Sequence, residues 1–446
     1  MIAQSSLRRP VNVIALVAVF AALAADAHAQ QQRALPSRAL FGGASTDPRL
    51  TQSLDVNVSA AASYDSQAFD QTGLDPSTLS PFQRGGFYNA LSGTLNYSWN
   101  GRRMQVGATG GGSGRYYTKD NNFLLLNEFA SGGFFAAPNP RLTIAVNQSV
   151  SYSPPYFNAL LPGFDAPSLG ASVGAGSDYS VGRRESLLYD TTATVAHTFS
   201  PRSSFAVLGN YRFADQSFDS ASTLRSYGIG GRYMHSLSKN LALRLGYIYR
   251  EGRYAGTETT ILHDIDAGVD YQRALSFSKH TKVNFRLGSL ILNSSPKGVD
   301  ARSLRYGVTG NAGLTQDIGR TWRARIVYDR GVNFSEAFQN PVFVDSVRAT
   351  TEGLINKRID FRGEGAVSIG DLRYSATAGA DSNVRNYQAL ARLRYALASW
   401  LALYSEYVYY KYDLGKAVEL PTGISPTWNR TSIRAGATLL APLLKR

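Results

Sequence analysis

Along most of this chain, apolar side chains recur at every second position over runs of roughly ten residues or more, and that alternation governs what it can fold into. In LALRLGYIYR (241–250), Leu241, Leu243, Leu245, Tyr247 and Tyr249 alternate with Ala242, Arg244, Gly246, Ile248 and Arg250. RLTIAVNQSVSY (141–152) sets Leu142, Ile144, Val146, Val150 and Tyr152 against Thr143, Asn147, Ser149 and Ser151. TKVNFRLGSLIL (281–292) sets Val283, Phe285, Leu287 and Ile291 against Lys282, Asn284 and Arg286. A period of two places each set on one face of a strand. The runs exceed the usual length of about five or six residues for a soluble strand and suit a tilted strand that crosses a bilayer. In that setting the apolar face meets lipid and the arginines meet a wet lumen.

The breaks between runs alternate in length. Short ones rich in Gly, Pro, Asn or Ser fall at 99–102, 137–141, 200–203, 236–240, 276–280, 317–320, 356–360 and 397–400. Between them lie others, usually longer: 65–85, 115–122, 153–183, 216–221, 251–257, 293–302, 333–342, 371–384 and 413–427. Short turns on one side and longer loops on the other are the signature of an outer-membrane barrel. The expected fold is therefore all-β: a transmembrane, antiparallel, up-and-down barrel of about 18 strands, within two either way. An even count puts both termini on the periplasmic side. Two soluble β domains are the alternative, but they do not account for the alternating connection lengths.

The first residues read as an export signal. Arg8 and Arg9 precede the short apolar run VNVIALVAVFAAL, and Ala27-His28-Ala29 forms a small-residue cleavage site. The expected organisation is a signal peptide over 1–29, a short periplasmic tail over 30–52 and the barrel over 53–446. After the signal no stretch is apolar enough for a spanning helix. The chain has no cysteine, which excludes disulfides, a lipid-anchored cysteine and thiolate metal sites. With 26 Tyr, 21 Phe and 42 Gly against three Met, composition favours strands. The formal charge of +14 suits an anionic partner, and an exported chain makes nucleic acid the wrong one.

The parity opposite the apolar face supplies the lumen-lining candidates. They are Arg232, Arg244, Arg250, Lys282, Arg286, Arg305, Arg323, Arg325, Arg348, Arg362, Arg392, Arg394, Arg430 and Arg434, with the acids Asp264, Asp266, Asp270, Asp329, Glu352, Asp360 and Glu364. Cross-strand pairing accounts for many such charges. The basic residues outnumber the acids, however, and a charged pore wall selects by sign. The long break 153–183 carries Tyr156, Phe157, Leu161 and Phe164, too apolar to lie wholly in water, and is the expected constriction loop.

Catalytic sets are missing from the sequence. His197, His235, His263 and His280 lack partners in reach, and adjacent His263 and Asp264 point to opposite faces of a strand. DIDAGVD (264–270) lacks the ligand spacing and closing Glu of a calcium loop. GGGSG (110–114) lacks the Lys-Ser/Thr of a phosphate loop and marks close strand packing or a bulge. No cofactor and no enzymatic activity are expected.

Taken together, the signal peptide, the cysteine-free β-rich body and the alternating segments resemble the broad family of outer-membrane β-barrel porins, some members of which are associated with exopolysaccharide export. The resemblance rests on pattern across the mature chain. It implies insertion into outer-membrane lipid by the insertion machinery and a passive pore. The cargo would be polar and anionic, either small solutes or a polysaccharide passed on from periplasmic export components. A closed structural or adhesion barrel that binds a partner through its external loops is the alternative. One departure stands out. Many such barrels end in an aromatic residue, whereas this chain ends GATLLAPLLKR, so the last strand is expected to stop near Leu440 or to be read by another signal.

Overall fold

The structure is a computed structural model that describes residues 51–66, 86–117, 123–153, 186–216, 223–254, 259–275, 278–294, 303–335, 340–371, 383–413 and 427–446. Its first strands are β1 (Gln52–Asp65), β2 (Gly86–Asn100), β3 (Met104–Tyr117), β4 (Phe123–Asn139), β5 (Leu142–Ser153) and β6 (Ser186–Ser200). Next come β7 (Ser203–Gln216), β8 (Leu224–Ser236), β9 (Leu241–Tyr254), β10 (Thr259–Leu275), β11 (Ser278–Ser294) and β12 (Ser303–Ile318). The last six are β13 (Trp322–Ser335), β14 (Asn340–Leu354), β15 (Ile359–Asp371), β16 (Asn383–Ala396), β17 (Leu401–Asp413) and β18 (Thr427–Lys445). Each pairs antiparallel with its sequence neighbours, and β1 pairs with β18, so the 18 strands close into one ring. Closure removes the unpaired edges that would recruit another chain.

The short turns are built by their own side chains. Asn139 Oδ1 accepts from the backbone N–H groups of Arg141 and Leu142, both at 2.9 Å. Asn356 Oδ1 does the same for Arg358 at 2.8 Å and Ile359 at 2.9 Å. Such local acceptors fold the chain back before a further strand residue is used. The glycine run in β3 packs closely: a Cβ on Gly111 would sit 2.4 Å from the Gly93 carbonyl oxygen.

The seam sets aside the first of the two expectations for the C-terminus, an early stop. Rather than stopping near Leu440, β18 runs to Lys445, and Arg446 exchanges backbone hydrogen bonds with Gln52 at 2.9 and 3.0 Å. A bulge between Leu54 and Asp55 absorbs one residue near Pro442, which has no N–H to give the ladder.

Parity separates the two faces all round the ring. Leu245 is 61% exposed and its neighbour Arg244 only 3%. Leu91, Ile229, Leu287, Val308, Leu393 and Ile433 are exposed with Leu245's parity on their own strands. Contacts between non-neighbouring strands identify the concave face. Arg250 Nη1 on β9 donates to the Val332 carbonyl on β13 at 3.2 Å. The charged parity therefore points inward and the exposed apolar parity outward.

Candidate functional site

The inward face carries a lattice of ion pairs. On β9–β11, Arg244 pairs with Asp270, to which Arg286 also approaches at 3.6 Å, and Arg250 reaches Asp264 at 3.4 Å. The β10–β11 ladder lapses between Ile265 and Asp270. There Arg244 Nη2 donates to the Leu287 carbonyl at 3.0 Å. A Cβ on Gly268 would lie 1.7 Å from that same oxygen, so only glycine lets the arginine and the strand come this close. Lys282 is exposed on this face, and Arg232 stands opposite Ala206 and Gly246. Asp266 and Arg305 hold inward register positions opposite Gly246 and Leu292, but their side chains lie outside the described residues.

Further round, Arg323 Nε donates to Asp317 Oδ1 at 2.7 Å, and Asn311 donates to Asp329 at 2.9 Å. Glu364 takes Arg362 at 3.1 Å and Arg348 at 3.5 Å. Glu352 stands opposite both Arg323 and Arg362 and is exposed. Arg394 Nε donates to Asp360 at 2.9 Å, while Arg392 stands between Arg362 and Glu406. Arg434 pairs with Glu406 at 3.3 Å, and the fully buried Arg430 pairs with Asp65 at 2.7 Å across the seam. Arg325 is exposed and makes no ion pair or hydrogen bond with any described residue.

Several inward acids escape the alternation reading: Asp65, Asp190, Asp317 and Glu406. Asp317 sits in DIGR, whose glycine makes it look like part of a turn, and Asp65 closes a strand whose polar residues are small. These acids trim the basic surplus expected inside. Among the described residues, no three or more His, Asp or Glu are grouped to hold a metal ion.

The β13–β14 hairpin departs from the ring. The β12–β13 ladder ends at Gly310–Arg330, although β12 begins at Ser303 and β13 runs on to Ser335. Beyond Arg330 the β13–β14 hairpin leaves the wall and turns inward. Phe334 packs where a Cβ on Gly252 of β9 would lie, 2.5 Å from its ring, and Phe343 stands 3.0 Å from the same point on Gly307 of β12. With Val332 they join Ala214, Leu224, Tyr254, Leu262 and Leu290 in one buried apolar cluster. Val342 and Val344 are buried as well, so both faces of the tip are covered. Arg330 spans the split: its Nε donates to the Val308 carbonyl at 3.1 Å, its Nη1 pairs with Asp345 at 3.0 Å, and its guanidinium lies 4.7 Å from the Phe343 ring centre. The expected constriction residues Tyr156, Phe157, Leu161 and Phe164 lie outside the described residues.

No protein-family model matches the chain, and no curated protein matches it. Among solved structures, it overlaps OccK2 (OpdF) of Pseudomonas aeruginosa at 10% identity and a TM-score of 0.43, over 88% of this chain and 98% of that one. OpdQ of the same organism gives 12%, 0.41, 88% and 98%. CdiB from Acinetobacter baumannii gives 11% and 0.37, over 87% of this chain and 60% of that one. The fold stands on the register of this chain's own strands.

Proposed function

We propose that the chain is an outer-membrane barrel that conducts polar solutes passively through its lumen, with the inturned β13–β14 tip as its constriction. One observation carries this reading: around the closed ring one face is apolar and exposed, while the other is polar on β2–β7 and rich in charge from β8 onward. Lipid outside and water inside suit those two faces. A conduit of this kind needs no catalytic group.

The finer reading is a preference for anions. Arg325 and Lys282 are exposed on the inward face, and Arg286 shares Asp270 with Arg244. A low-dielectric wall focuses the field of such charges into the lumen. Small anionic solutes fit this chemistry, and so does an acidic polysaccharide. A second reading, a closed barrel that binds a partner through its outer connections, draws on the apolar seal under the tip and the buried Arg430–Asp65 pair.

Conductance of the purified barrel in planar bilayers tests these readings together. Under a salt gradient, the reversal potential is expected to favour anions, most strongly at low salt, because about 0.15 M salt screens beyond about 8 Å. Arg325→Gln is expected to weaken that preference. Removing the Arg323–Asp317 pair together, as Arg323→Gln with Asp317→Asn, conserves charge and is expected to leave it unchanged. Cation preference in the parent contradicts the anion reading. A silent bilayer contradicts the pore and leaves the closed barrel.

A further inference from the structure

Past Gly310 and Arg330 the ring is split, because the β12–β13 ladder ends there while both strands run on. β12 stays paired with β11 as far as Ser303, but its other side, from Thr309 back to Ser303, has no ladder partner among the described residues. Tyr306 and Val308 on this stretch are 70% and 59% exposed, on the outward parity. An open strand edge does not persist in hydrocarbon, where neither water nor a partner satisfies its backbone groups.

The hairpin that left this edge carries its apolar side chains on the outward parity. Val332 and Phe334 alternate in step with the exposed Ile326 on β13, and Phe343 with the exposed Val347 on β14. Yet all three are buried against inward residues of β8–β11: Leu224, Tyr254, Leu262 and Leu290. The face that would look out of the ring is pressed against the inside of the wall. At the split, Arg330 Nε donates to the Val308 carbonyl at 3.1 Å and Nη1 pairs with Asp345 at 3.0 Å. The Tyr328 hydroxyl donates to the same carboxylate at 2.6 Å. Continuing the observed register would set Gly331 opposite Thr309, Val332 opposite Val308 and Phe334 opposite Tyr306. Arg330 thus occupies the carbonyl of the very residue that Val332 would face.

We propose that the β13–β14 hairpin is a gate with two seats, latched in the docked one by Arg330 and Asp345. In the docked seat, seen here, its apolar face fills the lumen against β8–β11. In the zipped seat, residues 331–335 pair with 305–309 of β12, Val332 and Phe334 join Val308 and Tyr306 on the outer belt, and the lumen widens. Each seat satisfies what the other leaves open: docking covers the apolar inner wall, and zipping covers the strand edge. Packed elements of this kind switch between discrete arrangements rather than deforming gradually. The proposal rests on the pore reading above and gives its constriction a second position.

Because the chain has no cysteine, an engineered pair can form only one disulfide. Gly252→Cys with Phe334→Cys bridges the docked seat: an ideal Cβ at 252 lies 3.1 Å from Phe334 Cγ, within disulfide reach of its Cβ. Val308→Cys with Val332→Cys bridges the zipped seat, since these side chains lie on opposite sides of the wall when the hairpin is docked. Both disulfides are expected to form in the full-length barrel in lipid vesicles. In single-channel recordings the zipped lock is expected to conduct severalfold more than the docked lock, and reduction to return both to the parent's record. Asp345→Asn, which weakens the latch without a cysteine, is expected to raise the parent's time at the upper level about tenfold, the scale of one charge-assisted hydrogen bond. Failure of 308 and 332 to bridge while 252 and 334 do overturns the zipped seat. Equal conductance of the two locked forms overturns the gate, and unchanged occupancy in Asp345→Asn overturns the latch. A bilayer silent in every form, with both disulfides made, contradicts the pore reading and leaves the two seats standing.

Discussion

Two adjacent residues show what alternation reveals and what it hides. Leu245 belongs to the exposed apolar belt, and an arginine there costs about 2–4 kcal/mol near the bilayer midplane. On parity alone Arg244→Leu is the milder change, because it touches only the lumen. The geometry says otherwise. Arg244 is buried, pairs with Asp270 and occupies the Leu287 carbonyl where the β10–β11 ladder lapses. Removing one partner of a buried pair costs on the order of 3 kcal/mol, so Arg244→Leu is expected to destabilise the barrel about as much as Leu245→Arg. Lys282→Leu, at an exposed inward position, is expected to cost far less. Denaturant midpoints in detergent check the order. An Arg244→Leu midpoint equal to the parent's would show that the ladder break needs no plug.

The strands were almost wholly legible, because period two and turn chemistry are local properties. The turns at 236–240 and 356–360 fall between the strands that the sequence delimits, and the Asn356 acceptor that closes one of them is visible in the text of the chain. The inward turn of the β13–β14 tip was not legible. Phe334 falls in the connection read at 333–342, with Val332 and Phe343 flanking it, and only contacts with distant strands, Phe334 on Gly252 and Phe343 on Gly307, put this cluster inside. The lapse at Gly268 was hidden for the same reason, since it depends on which carbonyl lies across the ladder. The tip itself is testable. Gly331 and Val344 are paired, so a two-residue Asn-Gly turn can join them in place of residues 332–343. Shortening the hairpin this way is expected to raise single-channel conductance severalfold. An unchanged conductance would place the constriction elsewhere.

At the scale of the molecule, the same face rule applied strand after strand closes the ring and sorts its charges. Asp317 and Glu406, which alternation alone does not single out, each pair with an arginine of the inward parity. The β1–β18 seam carries a register shift beside Pro442, which periodicity cannot show. The central claim is that one face of every strand meets lipid and the other water. Spin labels placed singly at 282–289 of β11 in lipid vesicles test it most directly, because both faces of this strand are accessible there. The expected result is a period of two: labels at Val283, Phe285, Leu287 and Ser289 relaxed mainly by oxygen dissolved in lipid, and labels at Lys282, Asn284 and Arg286 mainly by a water-soluble nickel chelate. Equal access of the chelate to all positions, or the opposite phase, would contradict the account.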